Sequence, residues 1–122
     1  MKITNLVMWV QDASLSVKFY KKLGFAVVRS TEQSATVRLD QFELVLVTMR
    51  DEEEFNGDAL SSAKGKGIYI YVHVDENVNS YYKKLIQRGI VPRTEPRDWP
   101  WGNREFVVED PDGYKLCYYQ EL

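Results

Sequence analysis

One histidine, His73, and one cysteine, Cys117, are the side chains of this sequence best suited to nucleophilic or transition-metal chemistry, and each occurs once. Cys117 cannot form an internal disulfide. No second histidine stands ready to activate its thiol, which favours a buried apolar filler over a nucleophile. His73 sits in an alternating apolar pattern, where a lone imidazole more often serves as a hydrogen-bonded pocket or surface residue than as a ligand. Neither a glycine-rich phosphate loop nor a zinc-knuckle spacing is present. Aromatic surface, by contrast, is plentiful. Three Trp and eight Tyr in 122 residues exceed what a small core needs, which points to the lining of a pocket or an interface. Trp99 and Trp101 flank Pro100 in the loop Arg97-Asp98-Trp99-Pro100-Trp101-Gly102. A loop rarely buries two indoles without cause, so these two are read as pocket or interface rather than core.

The elements that must position these residues come in two similar runs. Leu6, Met8 and Val10 alternate with Asn5, Val7 and Trp9 as a two-faced strand. Asp12 or Ser14 then caps a helix with Leu15, Phe19 and Leu23 along one stripe, ended by Gly24. Strands are predicted at 25–29, 35–39 and 42–48, with Asp40-Gln41 as a turn. After a polar stretch containing Asp51-Glu52-Glu53-Glu54, read as a solvated linker, the pattern restarts. Ile68, Ile70, Val72 and Val74 alternate with Tyr69, Tyr71 and His73. Asn77 can cap a helix carrying Val78, Tyr81, Tyr82, Leu85 and Ile86, and Gly89 ends it. Strands follow at 90–93, 104–108 and 114–119, the last two joined by the turn Asp110-Pro111-Asp112-Gly113. Phe19-Tyr20-Lys21-Lys22-Leu23 recurs as Tyr81-Tyr82-Lys83-Lys84-Leu85, in the same place within the same order of elements, which reads as an internal duplication.

Length and composition bound the rest. At 122 residues the two runs must share one domain, with module one over about 1–49, the linker over about 50–66 and module two over about 67–122. Hydrophobic residues at 44 % and charged residues at 28 % suit an ordinary globular protein. A net charge of −2 gives no reason to expect a nucleic-acid or anionic-membrane partner. The apolar stretch from Leu6 to Val10 is too short for a signal peptide or a membrane span, and a lone cysteine suits a reducing compartment, so the expected location is the cytoplasm.

Two segments carry a family likeness. Val10-Gln11-Asp12, followed by Phe19-Tyr20 and Leu23-Gly24-Phe25, resembles the opening of a glyoxalase/bleomycin-resistance (vicinal oxygen chelate) domain. Trp101-Gly102-Asn103-Arg104-Glu105-Phe106 leading into Asp110-Pro111-Asp112-Gly113-Tyr114 is similar to the ending of bleomycin-resistance and dioxygenase-like members. The resemblance implies an α+β fold of two tandem βαβββ modules whose sheets line a cleft, with the helices outside. Alternation then puts Asn5, Val7, Trp9, Tyr69, Tyr71 and His73 on the cleft side, with Lys115, Cys117 and Tyr119 on the last strand.

Metal-dependent members of the family hold a divalent ion through His, Glu or Gln of each module's first strand and carboxylates of each last strand. The matching positions here are Asn5, Tyr69 and Cys117, with Glu43 near the remaining one, so no metal and no cofactor are expected. A displaced site of His73, Cys117 and Glu43 is conceivable, but the reading without metal is preferred. The expected function is metal-independent binding of a planar or aromatic small molecule. Trp9, Tyr69, Tyr71, Trp99, Trp101 and Phe106 would provide flat walls, Asn5, His73 and Arg104 polar contacts, and Cys117 part of the floor. A homodimer is expected. The alternatives are a metal-dependent lyase, isomerase or dioxygenase, and a dimeric interaction module without a ligand.

Overall fold

The computed structural model describes residues 1–49 and 63–122, so the acidic run Asp51–Glu54 and most of the expected linker lie outside the described residues. The chain divides into two compact units, Met1–Lys64 and Gly65–Leu122. Among the described residues each unit holds one helix and one four-stranded sheet, the α+β class and tandem modules expected from the sequence.

In the first unit β1 (Leu6–Val10) leads into α1 (Ala13–Lys22), followed by β2 (Ala26–Ser30), β3 (Ser34–Leu39) and β4 (Phe42–Thr48). The sheet order is β1-β4-β3-β2, with β1 parallel to β4 and the other pairs antiparallel. Met8, Val10, Ala35, Val37, Leu44 and Leu46 are buried, which the strand period of two places on one face of the sheet. The hairpin between β3 and β4 turns at Asp40, whose φ of 54° is the left-handed conformation that Asp tolerates.

Asp12 caps α1, accepting from the Ser14 backbone N–H at 3.0 Å and from the Ser14 hydroxyl at 2.7 Å. The buried stripe of α1 is Ala13, Ser16 and Tyr20, continued by Leu23, whereas Leu15, predicted to lead the stripe, is 55 % exposed. The rotation goes with a contact distant in sequence. The Ala13 N–H donates to Thr48 Oγ1 at 3.0 Å, tying the first turn of the helix to the end of β4. Residues 13, 16, 20 and 23 then follow the three-and-four spacing of a helical face. Tyr20 packs edge-on against Phe25, with ring centroids 5.2 Å apart.

The second unit repeats the plan: β5 (Tyr69–His73), α2 (Val78–Gln87), β6 (Arg97–Asp98), β7 (Asn103–Glu109) and β8 (Lys115–Glu121), in the order β5-β8-β7-β6. Asn77 caps α2, accepting from the backbone N–H groups of Asn79 and Ser80 at 2.8 and 3.3 Å. Gly24 and Gly89 follow the two helices with φ of 94° and 85°, a conformation that costs a residue with a Cβ. Val78 and Leu85 of α2 are buried, while Ile86 is exposed. The rings of Tyr81 and Tyr82 pack against Phe106, which stacks on Tyr118 at 5.3 Å.

The strand expected at 90–93 does not form. Ile90 instead caps the helix, its N–H donating to the Leu85 carbonyl at 3.0 Å, and its side chain is buried. Pro92 and Pro96 lack the N–H that a strand interior needs. Arg93 still donates its N–H to the Val107 carbonyl at 2.8 Å, but a strand ladder forms only at the two-residue β6, opposite Arg104 and Glu105.

Candidate functional site

Register fixes one face of the second sheet. Tyr69, Tyr71 and His73 on β5 stand opposite Lys115, Cys117 and Tyr119 on β8, and Glu105 and Val107 on β7 stand opposite Tyr119 and Cys117. The other face carries Phe106, Val108, Leu116 and Tyr118, all buried. Where the fourth strand is cut short, the segment from Thr94 to Trp101 runs along the first of these faces and encloses a cavity of about 620 Å³. Its walls include Tyr69, Tyr71, Trp99, Trp101, Glu105 and Cys117.

Trp99 and Trp101 stack on each other with centroids 4.8 Å apart and planes 12° from parallel. The Arg97 guanidinium carbon lies 3.7 Å from the centroid of the Trp99 ring. A second indole and a guanidinium at those distances cannot share one face of a ring, so Trp99 is enclosed on both. Trp101 is 58 % exposed and has its outer face open.

Behind the indoles lies a group that sequence reasoning missed. Glu105 is 5 % exposed and accepts four hydrogen bonds. The Trp101 indole donates to its Oε2 at 2.9 Å and the Asn103 amide to the same oxygen at 3.1 Å. The Tyr71 hydroxyl donates to Oε1 at 3.3 Å and the Cys117 thiol to Oε1 at 3.4 Å. Burial alone would raise the Glu105 pKa, but the bonds from Trp101, Asn103, Cys117 and Tyr71 together outweigh it and hold the carboxyl below its ordinary value. The same neighbourhood works the other way on its donors. Burial, reinforced by the Glu105 charge, pushes the Cys117 thiol up to about 12. Desolvation, then Cys117 and Glu105, push the Tyr71 phenol up to about 12. Both therefore stay protonated near neutrality. The signal that could have found Glu105 was the alternation of β7: placing Phe106 in the core with Val108, instead of in the cavity wall, puts residue 105 on the same face as Cys117.

Of the residues expected to bind ligand, the structure brings Tyr69, Tyr71, Trp99, Trp101 and Cys117 together around this cavity. Phe106, expected as a flat wall, is fully buried among the rings beneath α2. Arg104 shares its strand parity and bonds Asp98 at 2.6 Å instead of lining the cavity. His73 also lies outside the cavity walls, edge-on to Tyr119 with its Nδ1 3.5 Å from an Asp75 oxygen. Asn5 and Trp9 belong to the first unit. Asn5 is exposed and donates to Thr4 Oγ1 at 3.2 Å, and Trp9 is half-buried opposite Val47.

The positions that match the metal ligands of the family hold Asn5, Tyr69 and Cys117, and neutral Asn and Tyr are poor donors to a divalent ion. Glu43 is ion-paired with Arg38, and the Cys117 thiol donates to Glu105. Among the described residues no three His, Cys, Asp or Glu side chains are grouped as metal ligands.

Residues 2–118 match the model of the Glyoxalase/Bleomycin resistance protein/Dioxygenase superfamily. The chain belongs to this superfamily. A bleomycin resistance protein of Geobacillus stearothermophilus is 25 % identical over 122 residues, spanning 93 % of this chain and 92 % of its own. The crystal structure of a glyoxalase/bleomycin resistance protein/dioxygenase from Nocardioides is 26 % identical with a TM-score of 0.84, covering all of this chain and 84 % of that one. A bleomycin-binding protein crystallised with bleomycin shares the superfamily fold at 19 % identity and a TM-score of 0.69, each chain covered in full. Among the described residues of this superfamily member, no helix is long and apolar enough to cross a membrane.

Proposed function

We propose that the chain is a small-molecule-binding protein of the bleomycin-resistance type, taking a planar or aromatic compound without a metal ion. The carrying observation is the open outer face of Trp101 at a cavity that Tyr69 and Tyr71 also wall. Stacking on an indole contributes about 0.5–1.5 kcal/mol beyond burial. The bond from Trp101 to Glu105 holds the ring in place before a ligand arrives, which lowers the ordering cost of binding. Pockets with apolar walls and a few placed polar groups suit such ligands. The kinship with bleomycin resistance proteins and the complex of a superfamily neighbour with bleomycin favour the same reading. In this reading the protein works in the cytoplasm as a homodimer, with a sedimenting mass twice the 14.3 kDa of the chain. The test is tryptophan-fluorescence titration with bleomycin and a panel of planar aromatic compounds, alongside elemental analysis of the dialysed protein. Saturable quenching by at least one compound in metal-free protein supports the reading. No binding across the panel together with one tightly held metal per chain overturns it.

A further inference from the structure

Glu105 is a formal charge in a place where a charge is costly. It is nearly sealed from water, and all four of its partners, Tyr71, Trp101, Asn103 and Cys117, are neutral. Among the described residues no Lys, Arg or His pairs with it. Neutral donors keep a carboxylate ionised and spread its charge without cancelling it, so the wall retains a full negative charge. The cation in the cavity wall, Arg97, is the cross-strand neighbour of Glu105 but lies over the Trp99 ring and makes no ion pair with the carboxylate, while Glu95 in the same wall brings a second carboxylate that leaves the wall net negative. Lys115, although its strand position is on the cavity face, directs its ammonium to the Gly113 carbonyl at 3.4 Å. The outer face of Trp101 adds the negative side of an aromatic quadrupole.

We propose that this cavity selects planar ligands bearing a positive charge, with the Glu105 carboxylate as the selecting group; the proposal rests on reading the cavity as a planar-ligand site. A cation stacked on Trp101 meets the indole face and, at the N–H edge of the same ring, a carboxylate in a poorly screened setting, where charges interact more strongly than in water. An anion of the same shape meets repulsion from both. All lone-pair directions of Glu105 are occupied by its four donors, so selection acts through the field of the carboxylate and needs no direct bond to the ligand.

The test uses three ring systems of one shape at pH 8: N-methylacridinium as cation, acridine as neutral ring and acridine-9-carboxylate as anion. Each is titrated into the wild-type chain and into Glu105→Gln. Glutamine keeps the shape and can accept from Trp101 and Asn103 with its oxygen, while its amide donates to Tyr71 and Cys117, whose O–H and S–H can turn around. Wild type is expected to bind the cation about ten-fold or more tighter than the neutral ring, a difference of about 1.4 kcal/mol, with the anion weakest. In E105Q, whatever its affinity for acridine itself, the cation and the neutral ring are expected to bind within about two-fold of each other, and an undiminished cation advantage overturns the role of Glu105. Equal binding of all three rings by wild type overturns charge selection and leaves the planar-ligand reading standing. Binding of none overturns both. If E105Q loses its near-ultraviolet circular dichroism, the wild-type ranking decides, checked by added salt, which must weaken the cation and not the neutral ring.

Discussion

The two units are the same construction with different chemistry on matching strands. In the first, Val7 faces Val45 and Thr36 completes the row; in the second, Tyr71 faces Cys117 and Val107 completes it. One step along, Trp9, Val47 and Ser34 correspond to His73, Tyr119 and Glu105. The first unit thus has a hydroxyl where the second has a buried carboxylate. The edges differ too. β2 is a five-residue strand, whereas β6 has two residues and is preceded by Pro92 and Pro96. The shortening releases a segment that carries Trp99 and Trp101 onto the sheet face. Both units hold the same core pattern, and the second carries a charged, aromatic cavity.

The largest expected difference between the two units lies in the core. Tyr20 and Tyr82 are the same residue of the repeated motif, but Tyr20 is fully buried and Tyr82 only half-buried. Tyr20→Ala is expected to cost about 3–5 kcal/mol in urea unfolding, and Tyr82→Ala less than about 2. Equal losses would mean that the two helices pack alike after all. A second contrast concerns reactivity. Cys117, held as a thiol, should react with iodoacetamide at pH 8 at least about a hundred-fold more slowly in the native chain than in the urea-unfolded one. Rapid native alkylation would show that burial and Glu105 do not suppress its thiolate.

Smaller effects sharpen the difference between residues 34 and 105. Glu105→Ala leaves the Trp101 and Asn103 donors without their acceptor and should cost about 1–3 kcal/mol, while Ser34→Ala should stay within about 0.5 kcal/mol. Similar losses at both sites would remove the distinction. The smallest effect is in pH. The Glu105 pKa is lowered on folding, so its contribution to stability is complete above the unfolded carboxyl value of 4.5 and disappears as pH falls through the lower folded value. The stability gap between wild type and E105Q, measured by urea titration, should therefore be widest near neutrality and shrink as the pH is lowered into that window. A gap that grows on acidification would have the wrong sign.

Much of this organisation was legible in the sequence, for reasons that can be located. Period-two alternation placed Tyr71 and Cys117 on one face, and the repeated Tyr-Lys-Lys-Leu run marked equivalent helices. The rotation of α1 was not legible, because it depends on the long-range bond from Ala13 to Thr48. Nor was the fate of residues 90–93, where an apolar start outweighed the warning given by Pro92. Glu105 was overlooked because a lone carboxylate in a strand normally faces water. Its burial follows from the indole, amide, phenol and thiol that converge on it, which one-dimensional spacing does not reveal. The stacking of Trp99 on Trp101 was likewise hidden, and it transfers the expected role of ligand platform from both indoles to Trp101.

A planar ligand is expected to settle on Trp101 in the second unit. The most direct measurement follows the three indole N–H resonances, from Trp9, Trp99 and Trp101, in nitrogen–proton correlation spectra during titration with N-methylacridinium. The Trp101 resonance is expected to move most and to saturate, Trp99 to move less because both of its faces are covered, and Trp101→Ala to weaken binding about ten-fold or more. Movement of Trp9 with Trp99 and Trp101 both unchanged would contradict it and place the ligand in the first unit.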